Sequence, residues 1–293
     1  MRVFVTGASG FIGSTVVPEL IQAGHTVVGL ARSDASAAVV EGMGAEVRRG
    51  DIHDLDGLRN AAADAEAVIH LAFDHAGMAA GRMADAVAAD HAVVRALGDA
   101  LAGTGKAFVG IGGLARTGDP QRDAVLNTSP RSAVSRTILE FTERDVRALL
   151  VAIPSATHGS RDRHGFIPTM IKFARATGVS GYVGDGVNCW PAGHVQDVAR
   201  LYRLALEKAP VGSQLIAAAE EGVPLREIAE TIGRRLGIPA VSIPTEQAAD
   251  HFKGFPFVTL DVSMSNAETR KLLDWEPIHP TLIADLEDEH YFA

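Results

Sequence analysis

Cysteine is almost missing from this 293-residue chain. Cys189 is the only one, which excludes an internal disulfide and any zinc site built from several thiolates. Positive charge is in deficit as well: 27 Lys+Arg stand against 36 Asp+Glu, a formal charge of −9. Without a basic face to displace the counterions of a phosphate backbone, no nucleic-acid partner is expected. Long apolar runs are absent too. Nowhere do about 18 consecutive apolar residues occur, so no membrane partner is expected. The apolar start Met1–Val5 meets Thr6-Gly7 at once, too soon for the core of a secretory signal. The expectation is a soluble, cytoplasmic chain whose 47% apolar residues suffice for one or two ordinary domains.

The first half alternates strand-like and helix-like stretches. Short apolar runs occur at 2–5, 26–30, 46–48, 67–71, 107–111 and 148–153, with helical spacing at 13–23, 35–42, 55–63, 78–103 and 133–147. Such alternation implies crossover connections and a parallel sheet covered on both faces, an α/β doubly wound fold. The texture changes after residue 150, where ten of the 13 prolines lie. The expected division is a dinucleotide-binding domain over 1–153 plus about 195–214, and a smaller C-terminal cap over 154–194 plus about 215–293. Further helical stretches lie at 169–177, 195–209, 225–236 and 266–273. The stretch 225–236 reads as one amphipathic helix rather than half of a helix-turn-helix, because Gly237 and Pro239 close it.

The sharpest local signal is Val3-Phe4-Val5-Thr6-Gly7-Ala8-Ser9-Gly10-Phe11-Ile12-Gly13, which closes a strand and opens a helix. At this spacing Gly7 permits a tight turn, Gly10 lets backbone approach a pyrophosphate, and Gly13 allows close helix–strand packing. The helix N-terminus then offers unpaired N–H groups to phosphate. By contrast, Gly103-Thr104-Gly105-Lys106 fails as a phosphate loop, since Ala100 and Ala107 replace its first glycine and its hydroxyl. No histidine pair has metal-ligand spacing, so no metal is expected.

Thr-Gly-x-x-Gly-Phe-Ile-Gly at 6–13 resembles the nucleotide fingerprint of the extended short-chain dehydrogenase/reductase superfamily, the epimerase/dehydratase-like group. Gly50-Asp51-Ile52 resembles that family's turn after the third strand, implying that Asp51 and Ile52 meet the adenine. Ile69-His70-Leu71-Ala72 resembles the segment lying along the cofactor, and Pro154 and Ser155 the loop that meets the nicotinamide amide. Asp185-Gly186 and His194-Val195-Gln196-Asp197-Val198-Ala199 complete the ordered set. The resemblance implies a Rossmann sheet and a nicotinamide cofactor. An NAD site places a carboxylate at the end of the second strand, some 20 residues on. This chain has Arg32 and Ser33 there, donors that suit a 2′-phosphate, with Asp34 close by. The expected cofactor is therefore NADP.

The family's chemistry rests on Tyr-x-x-x-Lys, and this chain has no such pair: its three tyrosines are Tyr182, Tyr202 and Tyr291, none followed by Lys four residues on. Aligned by neighbours, Gly113 takes the catalytic serine position, Ser132 the tyrosine and Arg136 the lysine, as in atypical members of the superfamily. Arg136 suits the nicotinamide ribose but cannot give up a proton. Ser132 is a poor acid. Replacement candidates are His75, beside Asp74 after the fourth strand, and His158 after the sixth; the other reading of each is a polar loop residue. The substrate is expected between Asp74–His75, the 112–117 loop and a cap bearing His158, His164 and Trp190.

The resulting expectation is an NADP(H)-dependent oxidoreductase acting on a small carbonyl or alcohol. A non-enzymatic NADP(H) sensor and a nucleotide-sugar epimerase or dehydratase stand as alternatives. The helices over 78–103 and 133–147 match elements through which many family members form a homodimer, although their apolar faces serve equally for inward packing.

Overall fold

The computed structural model describes residues 1–112, 121, 123–124 and 127–292. The chain divides into two compact units. One comprises Met1–Ala152, Val198–Ile216 and Glu268–Trp275; the other comprises Ile153–Asp197, Ala217–Ala267 and Glu276–Ala293.

In the first unit, the strands β1 (Arg2–Thr6), β2 (Thr26–Ala31), β3 (Glu46–Arg49), β4 (Ala67–His70), β5 (Ala107–Ile111) and β6 (Arg147–Ala152) pair in parallel with the edge strand Gln214–Ile216. The sheet order is Gln214–Ile216, β6, β5, β4, β1, β2, β3. Helices α1 (Gly13–Gln22), α2 (Asp34–Gly42) and α3 (Leu55–Asp64) connect the early strands. The doubly wound Rossmann sheet is thus present, with its order reversing between β1 and β4. Ligands of such sheets bind beyond the strand C-termini at that reversal. Phe4, Val68, Leu97, Phe108, Ile138 and Leu150 share one buried cluster. Each such side chain contributes about 1.5–3 kcal/mol by leaving water. The segment Glu268–Trp275 joins this unit, where the Thr269 hydroxyl accepts the Ile216 N–H at 2.8 Å.

Two helices depart from the sequence expectation. The single helix over 78–103 is two: α4 (His75–Ala79) and α5 (Met83–Leu101). Gly81 sits between them at φ +77°, in the left-handed region that ends a helix, and the Asp74 carboxylate starts α4 by accepting the Gly77 N–H at 2.9 Å. The helix expected over 133–147 begins earlier, as α6 (Pro130–Glu140), because the Ser129 side chain caps it and Pro130 fits its first position. It ends earlier as well: a 3₁₀ turn over Phe141–Arg144 and Asp145 at φ +53° lead into β6.

The second unit holds a three-stranded sheet (Glu220–Pro224, Cys189–His194, Ala156–His158) and a two-stranded parallel ribbon (Ala240–Ile243, Ser180–Val183). Its core gathers Trp190, Ile228, Phe252 and Leu282, and the Trp190 indole donates to the Phe257 carbonyl at 3.0 Å. The amphipathic helix Leu225–Leu236 ends on Gly237 at φ +68°. No described helix is long and apolar enough to cross a membrane.

Candidate functional site

The glycine-rich turn sits at the C-terminal end of β1 and is closed by its own backbone. The Gly10 N–H donates to the Gly7 carbonyl at 3.0 Å, and the Ser14 N–H to the Gly10 carbonyl at 2.8 Å. A side chain does not fit at either end of this turn. Gly7 has φ +69°, and a Cβ on it would stand 2.7 Å from the Leu71 carbonyl carbon and the Ala72 nitrogen. On Gly13 a Cβ would fall 2.1 Å from the Gly7 oxygen. Phe11 and Ile12 are half-buried on the way into α1. Gly7, Leu71 and Ala72, predicted separately as cofactor contacts, are therefore neighbours.

A hydrogen-bond relay that spacing alone does not reveal fixes this junction. The Thr6 hydroxyl accepts the N–H groups of Leu71 and Ala72 at 3.2 and 3.3 Å and lies 2.6 Å from His70 Nδ1. With two donors already on the oxygen, its proton goes to Nδ1. His70 then carries its own proton on Nε2 and donates it to Asp90 at 3.0 Å. Thr6, His70 and Asp90 are all buried, so the relay ties β1, β4 and α5 together just behind the turn.

At the end of β2, Arg32 is exposed and makes no hydrogen bond or ion pair with any described residue. The Ser33 hydroxyl is already engaged: it accepts the Ser36 N–H in a reciprocal cap of α2. Asp34, the nearby carboxylate, is paired with Arg49, whose position at the end of β3 lies level with Ala31. Arg49 is thus a second guanidinium at this end of the sheet, one that the spacing rule for the second strand does not reach. Beyond it, Asp51 accepts the His53 N–H at 2.9 Å and Ile52 packs against the core.

The replaced catalytic positions separate. Ser132 is buried in the first turn of α6, its hydroxyl 2.8 Å from that of Ser129. Arg136, one turn on, is exposed and donates to the Asn127 carbonyl at 3.0 Å. Gly113 and the remainder of the loop through Pro120 lie outside the described residues. The two histidine candidates also differ. His75 lies edge-on to Phe73, ring centres 5.3 Å apart, and the Arg131 guanidinium covers the Phe73 ring at 4.2 Å. Loss of hydration, then the charge of Arg131, push the His75 imidazole below its ordinary value, against the pull of Asp74.

His158, in the second unit with Pro154 and Ser155, has no exposed surface. Its Nδ1 is 2.8 Å from Asp285, and its ring meets His194 edge-on at 5.3 Å. His194 stacks on His279, which pairs with Asp197 at 2.8 Å. Tyr291 accepts the Gly159 N–H at 3.1 Å, and nearby Asp162 is a buried carboxyl held above its ordinary range by loss of hydration. His158 is thus a member of an enclosed polar network. His164, two residues along the chain from Asp162, bears on that carboxyl through its backbone and its charge. Among the described residues, Asp285, Asp288 and His290 bring ligand-type atoms within 4.8 Å of one another, with Asp285 already engaged by His158.

Comparison with known proteins bears on this arrangement. The sequence model of the NAD dependent epimerase/dehydratase family matches residues 3–217. An uncharacterized protein of Schizosaccharomyces pombe is 41% identical over 300 residues, spanning 100% of both chains. One of Saccharomyces cerevisiae is 38% identical over 296 residues and 98% of each. Among solved structures, the dTDP-glucose 4,6-dehydratase DesIV of Streptomyces venezuelae, with NAD and TYD bound, superposes with a TM-score of 0.74. It is 19% identical, with 100% of this chain and 97% of that one covered.

Proposed function

As this chain belongs to the NAD dependent epimerase/dehydratase family, we propose that it is an NADP(H)-dependent oxidoreductase acting on a small carbonyl compound or alcohol. The observation that carries this reading is the glycine turn, where the space a Cβ would fill is bounded by backbone on both sides. That close packing brings the start of α1 to the end of β1, where its first N–H groups suit a pyrophosphate. Leu71 and Ala72 flank it, Asp51 and Ile52 take the adenine end, and Arg136 turns from the Asn127 carbonyl to the ribose. These residues would hold a nicotinamide dinucleotide, whose chemistry when bound would be hydride transfer to an electrophilic carbon.

Arg32 and Arg49 support the preference for a 2′-phosphate. One guanidinium has no partner among the described residues, and the other neutralises Asp34, the carboxylate that would repel the phosphate. Replacement of Arg32 by alanine is expected to weaken NADPH binding by about 10- to 100-fold, the loss of one or two charge-assisted hydrogen bonds. NADH binding should stay within about twofold, a comparison that fluorescence titration makes directly. Equal weakening of both would remove Arg32 from cofactor selection.

The chain must then supply a proton to the carbonyl oxygen, which is left with the electron pair. Ser132 is too weak an acid and His158 is enclosed, which leaves His75. Because its imidazole is held below the usual value of about 6.5, the protonated form accumulates only in mild acid. Carbonyl reduction should therefore speed up as pH falls through that depressed value, and His75→Gln should flatten the profile. A flat profile in the wild type would count against His75.

A further inference from the structure

Resting on that reading of the chemistry, we propose that Arg131 grips an anionic group of the substrate, on a shelf made by Phe73 and beside His75, so that the substrates are small oxo acids. The starting point is a guanidinium with no acceptor. Arg131 is half-buried, yet its guanidinium makes no hydrogen bond or ion pair with any described residue and lies over the Phe73 face, 4.2 Å away. Two other partly buried arginines have theirs, while Arg235, over the Phe292 ring, has no hydrogen-bond or ion-pair partner among the described residues. Arg147 donates to the carbonyls of Ala205, Leu206 and Ala209, and Arg203 pairs with Glu19 and Glu207. Arg131 meets no acidic side chain among the described residues, and unlike Arg235 it stands beside the end of β4, so it suits charge brought from outside. Stacking on phenylalanine uses none of the five N–H donors.

Position agrees with that role. Arg131 is the second residue of α6 and directly precedes Ser132, which takes the family's tyrosine position. The helix returns from the C-terminal end of β5 toward the start of β6, so its first turn lies at the sheet edge where doubly wound folds place their ligands. Phe73 follows Leu71 and Ala72, whose backbone borders Gly7. The shelf and the cofactor turn are thus built on the same strand end, next to the β1–β4 reversal.

The charge arithmetic favours a carboxylate. Two charged groups act on His75, Arg131 from α6 and Asp74 from its own loop, and the Asp74 carboxylate is engaged in capping α4. Among the described residues, Arg131 then stands as an unpaired cation beside an imidazole held below its ordinary value. A planar guanidinium fork pairs with a single carboxylate through two parallel hydrogen bonds, whereas a phosphate dianion calls for a second cation. A carboxylate seated on Arg131 also cancels the repulsion that Arg131 exerts on a protonated His75. Binding of the acid therefore favours the imidazolium needed for proton delivery, and a neutral ketone lacks this help. The reaction balances as carbonyl, hydride and one proton giving the hydroxy acid.

The test uses the full chain loaded with NADP, comparing wild type, Arg131→Met and Arg131→Lys. Calorimetry would measure binding of 2-oxobutanoate and 3-oxobutanoate against their methyl esters, and NADPH consumption would be followed on the same pairs. Wild type should bind one acid at least tenfold more tightly than its ester. Arg131→Met should lose about 10- to 100-fold on that acid while ester and NADP binding stay within about twofold; Arg131→Lys should fall between. Acid and ester binding alike, no binding of any of the four, or an unchanged preference in Arg131→Met would each overturn the proposal. Charge-selective binding without NADPH consumption would instead sustain the anion site and defeat the oxidoreductase reading.

Discussion

Gly13→Ala is expected to abolish measurable NADPH binding, weakening it by at least about 100-fold, and to lower the thermal midpoint. The reason is steric and local. The new methyl would stand 2.1 Å from the Gly7 oxygen and 2.9 Å from the Ala8 Cα, and both obstacles are backbone. No rotamer change relieves such an overlap, so either α1 moves away from β1 or the turn opens. Overpacking of this kind typically costs about 1–3 kcal/mol. The larger consequence falls on the ligand, because the Gly7 carbonyl also holds the Gly10 N–H and its displacement distorts the whole cradle. Gly24→Ala is the control for folding: a Cβ there has nothing within 4 Å, and its φ of +85° imposes conformational strain without touching the turn. That variant should bind NADPH like the wild type despite a lower midpoint. Tight NADPH binding by Gly13→Ala would mean that the cofactor does not use this turn.

Asp285→Ala should destabilise the protein by about 3 kcal/mol, where the cost of an orphaned buried donor meets that of a broken buried ion pair. His158 has no exposed surface and its Nε2 has no partner among the described residues, so removing the carboxylate strips the ring of the one hydrogen bond it makes with them. Asp285→Asn keeps an oxygen for Nδ1 and should lose markedly less. Urea denaturation of the three proteins tests this, with the slope checked for two-state behaviour. If Asn and Ala variants unfold at the same urea concentration as the wild type, the His158–Asp285 contact contributes nothing to the fold.

How far the sequence reveals these features depends on sequence separation. Strands β1, β4, β5 and β6 are covered on both faces and so appear as short apolar runs, and the glycine turn is contiguous. The long helix expected across Gly81 misleads because alanine-rich spacing continues through a glycine that the fold uses as a stop. In the second unit, the strand Ala156–His158 is three residues long, and Glu220–Pro224 reads Glu-Glu-Gly-Val-Pro, with no alternation to detect. The polar networks are less visible still. Thr6 and His70 are 64 positions apart, and His158 and Asp285 are 127 apart. Histidine and aspartate have no periodic signature, so only the folded chain pairs them. Arg131 likewise looks like any flank in Ser129-Pro130-Arg131-Ser132; its lack of an acceptor is a property of three dimensions.

The central claim is a dinucleotide site on the first unit with a guanidinium that selects the phosphorylated form. Calorimetric titration of the folded wild-type protein with NADPH, and separately with NADH, tests it most directly. The account predicts one saturable site for NADPH, bound at least about tenfold more tightly than NADH. An absence of heat and of competition with either dinucleotide would contradict it.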